Sequence, residues 1–130
     1  MSAADRLAAL IAVPTISAAP VPGALDALHQ RIRALYPGVR DRLEQEIVGD
    51  GALLLTWHAG PGAPIVLMAH LDVVPVADQR WTADPFAARI ADGVVTGRGA
   101  LDDKGAVVAI LEAVETLLAE GAVPPGDVHL

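Results

Sequence analysis

The chain has 130 residues, which allows one domain at most, and its 53% hydrophobic and 3% aromatic content predicts a core of aliphatic side chains. Its formal net charge of −7 argues against nucleic acid and anionic membranes as partners. Because cysteine is absent, disulfides and thiolate ligands are excluded, and a metal ion would need His, Asp, Glu or water. The amino terminus has no basic region and no apolar run of membrane length, so we expect a cytoplasmic protein.

The amino-terminal part of the chain predicts two helices. Ser2 is a candidate N-cap for a helix over residues 2–12, which Pro14 ends. A second helix is predicted over residues 24–36, where leucine and isoleucine recur at helical spacing. His29 lies off that apolar stripe, so we expect it on the surface rather than in a metal site.

The middle and the end of the chain predict strands. Residues 42–48 and 52–58 are joined by a glycine-rich turn and indicate a hairpin, and residues 86–96 indicate a second one. The continuous apolar run at 64–69 is typical of a strand buried on both faces of a helix-covered sheet. Residues 127–130 begin a further strand. We therefore predict an α/β domain with helices packed on a mixed, largely buried sheet.

A long helix is predicted from just after Gly105 to about Glu120. Its first two turns, residues 106–111, contain no polar residue, so we expect them to be buried on all sides. Glu112 and Glu115 are expected to face solvent on the outer side of this helix.

The nine residues that lead into this helix carry the strongest chemical signal. Residues 97–105 read Gly-Arg-Gly-Ala-Leu-Asp-Asp-Lys-Gly. The glycine spacing begins a dinucleotide-binding fingerprint, but Asp102 stands at the third glycine position, where a carboxylate would repel a pyrophosphate. A carboxylate held by a glycine-rich loop at a helix start suits a metal ion better. Arg98 and Lys104 are expected to balance the charge of Asp102 and Asp103.

A second motif follows the apolar run, where His70 and Asp72 are two residues apart. If the strand continues that far, both side chains point to the same side. A histidine that binds zinc usually donates its other ring N–H to a carboxylate, which fixes its tautomer. Alone the pair is also typical of a histidine that is hydrogen-bonded at a strand end. Together with the Asp102 loop it indicates a metal site.

These motifs, with Trp81 and Asp84-Pro85-Phe86 between them, resemble the co-catalytic zinc peptidase family of carboxypeptidase S, aminoacylase, acetylornithine deacetylase and succinyl-diaminopimelate desuccinylase. The form Ala-Leu-Asp-Asp-Lys-Gly is most similar to the carboxypeptidase S branch. The likeness is specific over residues 64–121. It implies a three-layer helix–sheet–helix catalytic domain, of which residues 1–130 would be the incomplete amino-terminal portion.

The resemblance also implies roles for the candidate site residues. His70 would bind one of two Zn2+ ions, for which Co2+ or Mn2+ could substitute. Asp102 would bridge both ions through its carboxylate, and a cis peptide bond between Asp102 and Asp103 would set the direction of that side chain. Asp72 would be the catalytic carboxylate that orients His70. We therefore expect a His70 ring nitrogen and an Asp102 oxygen within about 5 Å of each other. The substrate would be a peptide or an N-acyl amino acid, and the full-length protein could be a homodimer.

In this family a glutamate pair, which contains the general base, follows the strand that begins here at residue 127. The pair is absent from this sequence, so we expect an amino-terminal fragment that is inactive by itself. The alternative is a non-catalytic relic or interaction module that retains the fold. A metallo-β-lactamase-like hydrolase is excluded because His70 is not part of a His-x-His-x-Asp-His pattern.

Overall fold

Helices and short strands alternate along the chain, and the computed structural model describes all residues from 1 to 130. In chain order they are α1 (Ala3–Ile11), α2 (Ala24–Leu35), α3 (Pro37–Arg42), β1 (Glu44–Val48), β2 (Ala52–Trp57), β3 (Ile65–Val66), β4 (Arg89–Ala91), β5 (Val94–Thr96), α4 (Lys104–Ala119) and β6 (Val128–His129). The α/β class predicted from the sequence is confirmed. Helix α3 is an addition, because Pro37 begins a new helix after α2 ends. None of the helices combines the length and apolar character that crossing a membrane requires.

Ser2 caps α1 as the sequence predicts. The Ser2 hydroxyl accepts a hydrogen bond of 3.2 Å from the Asp5 N–H, and the Ser2 N–H donates to the Asp5 carboxylate at 2.8 Å. This reciprocal pair satisfies donors that a helix start otherwise leaves unpaired. The start of α1 is therefore fixed by local hydrogen bonds.

The main sheet is mixed, as predicted, and has the strand order β1-β2-β6-β3. β2 runs antiparallel to both β1 and β6, whereas β6 and β3 run parallel. The second predicted hairpin is formed by β4 and β5 and stands apart from this sheet. Because β6 is inserted between β2 and β3, the strand that leads to His70 lies at the sheet edge.

The prediction that residues 64–69 form a strand buried on both faces is wrong. Only Ile65 and Val66 form a strand, and all six residues are exposed, Met68 by 84%. β3 lies at an edge and contacts chiefly β6, so neither of its faces is covered. An apolar run shows that a segment could be buried, but not which element would cover it.

Helix α4 supplies the centre of the hydrophobic core by packing against α1 and α3. Its buried residues are Lys104, Val107, Val108, Leu111, Val114 and Leu118. Most of them recur three or four residues apart and so form one stripe on the helix. The expected all-round burial of residues 106–111 is wrong at Ala109, which is exposed on the side away from that stripe.

The two glutamates on α4 do not simply face solvent, as the sequence predicts. Glu115 is half-buried, and its two oxygens accept hydrogen bonds of 2.8 Å from the backbone N–H groups of Gly38 and Val39. Those groups belong to the first turn of α3, so Glu115 caps that helix from another element. Glu112 accepts a hydrogen bond of 2.8 Å from Arg6 of α1. Both carboxylates therefore join helices.

The surface position predicted for His29 is also wrong, because the residue is only 4% exposed. Helix α2 packs against both α1 and α3, so its burial extends beyond the stripe of leucine and isoleucine side chains. Burial lowers the pKa of His29 below its ordinary 6.5, and its Nε2 has no hydrogen-bond partner. The fold therefore favours the neutral ring.

His58, just after β2, joins three strands through its two ring nitrogens. Nε2 lies 2.6 Å from the Glu44 carboxylate, and Nδ1 lies 3.3 Å from the Asp127 carboxylate. Hydrogen bonds to Glu44 and Asp127 raise the pKa of His58 above its ordinary 6.5. The pKa of Asp127 lies below its ordinary 3.8. The main cause is the hydrogen bond that the Ala59 N–H donates to its carboxylate, and the hydrogen bond with His58 adds to it. The cluster joins the beginning of β1 to β6.

We expect His58 to stabilise the fold most between about pH 3.8 and 6.5. The raised pKa of His58 contributes stability below 6.5 that is lost as the pH rises through the folded-state pKa. The lowered pKa of Asp127 contributes stability above 3.8 that is lost as the pH falls through its own. Urea unfolding at about pH 5.5 and about pH 8.5 should therefore show a loss for His58→Gln that is larger at the lower pH.

His29→Gln is the matched control, because the lowered pKa of His29 makes its contribution grow as the pH rises. A loss for His58→Gln that is the same at both pH values would contradict the ionic role of His58.

Candidate metal centre

The loop that leads into α4 is so closely packed that glycine is required at two positions. Gly99 has a φ of +87°, and a Cβ there would lie 2.9 Å from the side chain of Val73. A Cβ at Gly105 would collide with the carbonyl oxygen of Ala100. The loop therefore packs directly against the segment that follows β3.

The three candidate site residues predicted from the sequence, His70, Asp72 and Asp102, lie together at the end of this loop. His70 Nε2 is 2.9 Å from Asp102 Oδ1, so the expected separation of less than about 5 Å is confirmed. His70 Nδ1 is 3.1 Å from Asp72 Oδ1 and 3.1 Å from the Asp72 carbonyl oxygen. The backbone N–H of His70 donates to the Asp103 carboxylate at 3.2 Å. The peptide bond between Asp102 and Asp103 is cis, as the family resemblance implies.

Strand alternation does not account for the contact between His70 and Asp72, because β3 already ends at Val66. Instead, the segment bends so that both the carbonyl and the carboxylate of Asp72 reach the same ring nitrogen. Both Asp72 atoms are acceptors, so Nδ1 carries a proton. Nε2 is then the ring atom directed at Asp102.

Carboxylate oxygens at both ring nitrogens make the protonated form of His70 favourable. The hydrogen bond to Asp102 is the largest cause of the raised pKa of His70, and Asp72 adds to it against the opposing effect of burial. The site is open, since the His70, Asp72 and Asp102 side chains are 49%, 52% and 79% exposed. The contact between His70 Nε2 and Asp102 Oδ1 is therefore accessible from solvent.

The donor atoms fit a divalent metal ion but supply only part of its coordination. Imidazole nitrogen and carboxylate oxygen both bind zinc and related ions. Two ligands of one tetrahedral ion lie roughly 3.3 Å apart, so a small opening of the contact between His70 and Asp102 would admit an ion. The chain contains no group of three or more His, Cys, Asp or Glu side chains that could hold one. His70 and Asp102 therefore supply at most two of the positions that such an ion needs.

The charge-balancing role predicted for Lys104 and Arg98 is wrong. Lys104 is fully buried, and its ammonium donates to the carbonyl oxygens of Leu10 at 2.9 Å and Val13 at 2.7 Å. Burial lowers the pKa of Lys104 to about 8. Arg98 instead donates to the side-chain carbonyl of Gln79 and lies near the Trp81 ring. Neither cation pairs with the Asp102 carboxylate.

A segment near the amino terminus also supports the site, and sequence reasoning missed it. Thr15 donates from its hydroxyl to the Leu71 carbonyl at 2.6 Å, and its own carbonyl accepts from the Val73 N–H at 2.8 Å. Ile16 forms a parallel bridge with Val73. These bonds hold the segment that carries His70 and Asp72. They join residues more than 50 positions apart, so no local pattern could reveal them.

The chain belongs to the peptidase family M20/M25/M40, whose sequence profile matches residues 66–130. The match includes every residue of the site. The family likeness seen in the two motifs is therefore confirmed. The relatives of this chain in the family are peptidases and amidohydrolases.

Similar proteins support the assignment of this chain to the carboxypeptidase S branch of the family. A carboxypeptidase S-like protein of Dictyostelium discoideum is 38% identical over 78% of this chain and 20% of its own length. The N-fatty-acyl-amino acid synthase/hydrolase of Bos taurus is 35% identical over 92% of this chain and 25% of its own length. The chain thus spans a quarter or less of these relatives.

The fold of the chain matches that of a solved enzyme of the same family. An M20 family metallo-carboxypeptidase from Sulfolobus solfataricus superposes on all of this chain with a TM-score of 0.72, and the chain covers 30% of that structure. The sequence identity is 24%, so this likeness concerns the fold alone. The mixed α/β fold is therefore shown for the part of the domain that this chain covers.

In the metal-free chain, Asp102→Asn should lower the pKa of His70 toward 6.5, because the hydrogen bond to Asp102 is the main cause of its elevation. An NMR titration of the His70 ring in the presence of a chelator measures this value. Asp84→Asn is the matched control, since the Asp84 carboxylate accepts from the Phe86 N–H. An unchanged His70 pKa in Asp102→Asn would contradict the contact between the two side chains.

Proposed function

We propose that this chain is the amino-terminal portion of the catalytic domain of a two-metal amide-bond hydrolase. The observation that carries the proposal is the distance of 2.9 Å between His70 Nε2 and Asp102 Oδ1, with Asp72 on the other ring nitrogen. An imidazole oriented by one carboxylate and facing a second one is a common arrangement of divalent-metal ligands. Membership of a peptidase family adds to this support.

Each of the three side chains has a distinct role in this proposal. Asp72 accepts the Nδ1 proton of His70, which fixes the tautomer and leaves the Nε2 lone pair for the ion. Asp102 would be the bridging ligand, because a carboxylate has two oxygens that can each bind a metal ion. Bound Zn2+, or Co2+ or Mn2+ in its place, would lower the pKa of a water molecule to about 7 and polarise the scissile carbonyl.

The rest of the site is proposed to lie outside these 130 residues. The two proposed ligands, His70 and Asp102, are too few for a closed zinc site, and the matched segments make up only 20% and 25% of the relatives' lengths. A glutamate from that remaining part would act as general base and pass the water proton to the leaving amine. Homodimer formation and a cytoplasmic location stay predictions from the sequence.

The proposed substrate is a peptide with a free carboxyl terminus or an N-acyl amino acid. One relative is named as a carboxypeptidase S-like protein and another as an N-fatty-acyl-amino acid synthase/hydrolase. Both names refer to an amide bond at an amino acid. A hydrolase that removes an amino acid from a peptidyl or acyl group satisfies both likenesses.

In the complete enzyme, Asp102→Asn should weaken metal binding and abolish turnover, because an amide supplies one neutral oxygen where a bridging carboxylate supplies two charged ones. Asp72→Ala should reduce metal affinity or turnover by about 10–100-fold through loss of His70 orientation. Zinc titration and steady-state kinetics on a peptide and an N-acyl amino acid measure both effects. Asp84→Asn is the control, and full activity in Asp102→Asn would refute the bridging role.

The purified 130-residue chain should bind zinc far more weakly than a structural zinc site and should hydrolyse neither substrate. Two protein ligands give little affinity, and the proposed general base is not among these residues. Calorimetric zinc titration and an amidase assay with added zinc test this expectation. Zinc-dependent hydrolysis by the chain alone would show that the catalytic groups are assigned wrongly. A complete protein without amidase activity would instead support the non-catalytic relic.

A further inference from the structure

Lys104 is the only buried cationic side chain in the chain, and no step of the proposed reaction uses it. It is the first residue of α4 and lies two positions after Asp102. Its ammonium donates to the Leu10 and Val13 carbonyls, where the end of α1 leaves backbone oxygens with partial negative charge. An apolar side chain would fill the same space without the cost of burying a charge. The position of the ammonium therefore calls for an explanation other than packing.

The segment that accepts these hydrogen bonds is also bonded to the other half of the site. Two residues beyond Val13, Thr15 donates to the Leu71 carbonyl and accepts from the Val73 N–H. Leu71 stands between His70 and Asp72 in the chain. The backbone from Val13 to Thr15 thus links Lys104 to the residues that orient the imidazole.

The hydrocarbon part of the Lys104 side chain also lies between the Asp102 loop and the segment after His70. A Cβ at Gly99 would lie 3.3 Å from Lys104 Cδ and 2.9 Å from Val73 Cγ1. The Asp102 loop, the Lys104 side chain and the segment after His70 therefore meet with no space between them. A shift of any one of them would move the others.

We propose that Lys104 is a positioning residue: by binding the carbonyls of Leu10 and Val13, it holds the Asp102 loop at a fixed distance from His70 through the backbone that continues to Thr15. This role rests on the proposed function only where it concerns the metal. Lys104 itself would touch neither the ion nor the substrate. It acts through the backbone that it fixes.

Lys104→Met is the direct test, because it keeps an unbranched side chain and removes the donors to Leu10 and Val13. In the metal-free chain, we expect the 15N shifts of the His70 ring to move toward those of Asp102→Asn, since both changes weaken the same contact. In the complete enzyme, zinc should dissociate about 10–100-fold more readily, the Co2+ absorption spectrum should shift, and kcat should fall with little change in KM.

Tyr36→Phe is the matched control, because Tyr36 is fully buried and donates to Glu112 at 3.1 Å, away from the loop. It should lower stability without moving the His70 shifts, the Co2+ spectrum or the zinc affinity. If the Lys104→Met protein unfolds more easily but keeps the wild-type His70 shifts and zinc affinity, the positioning role is overturned.

Thr15→Val tests the same link if Lys104→Met does not fold. It keeps the side-chain shape and removes the hydroxyl that donates to the Leu71 carbonyl. The His70 ring shifts should again move toward those of Asp102→Asn, and wild-type shifts would overturn the proposal. The ring shifts are read without metal or substrate. An enzyme without amidase activity would therefore refute the proposed function and leave this test of Lys104 intact.

Discussion

The hydrogen bonds made by residues 10–17 hold the two halves of the candidate metal centre together. One half is the glycine-rich loop before α4, and the other is the bent segment after β3. These halves are separated by about thirty positions in the sequence and are not neighbours in any helix or strand. Lys104 contacts residues 10–13 from one side, and the segment after His70 pairs with residues 15–17 on the other. The amino-terminal segment is therefore part of the site although it supplies no ligand.

Helix α4 fixes this arrangement within the core. Its buried stripe packs on α1 and α3, while Glu112 binds Arg6 and Glu115 binds the first turn of α3. Each carboxylate accepts donors that would otherwise be poorly satisfied near the core, which makes the orientation of α4 specific. The loop that ends in Asp102 enters this helix directly, so the core determines where the carboxylate lies.

Much of this could be predicted from the sequence, because the signals were local. Helical spacing, the Ser2 cap and the two hairpin turns all depend on neighbouring residues. The motifs at 70–72 and 97–105 were informative because their residue types leave few chemical options. The failures share a different cause. The burial of His29 and Lys104 and the exposure of residues 64–69 depend on which distant element packs against each one, and a single sequence does not contain that information in local form.

The uncovered strand β3 has a consequence for the behaviour of the chain in solution. Its outer edge has no neighbouring strand, the apolar side chains of Ile65 and Val66 are exposed on it, and Met68 is exposed just beyond its end. A strand of two residues offers few backbone groups for edge-to-edge pairing, so the exposed apolar side chains are the stronger cause of association. Aggregation of the isolated chain should therefore increase with concentration and begin at the apolar side chains of residues 65–68.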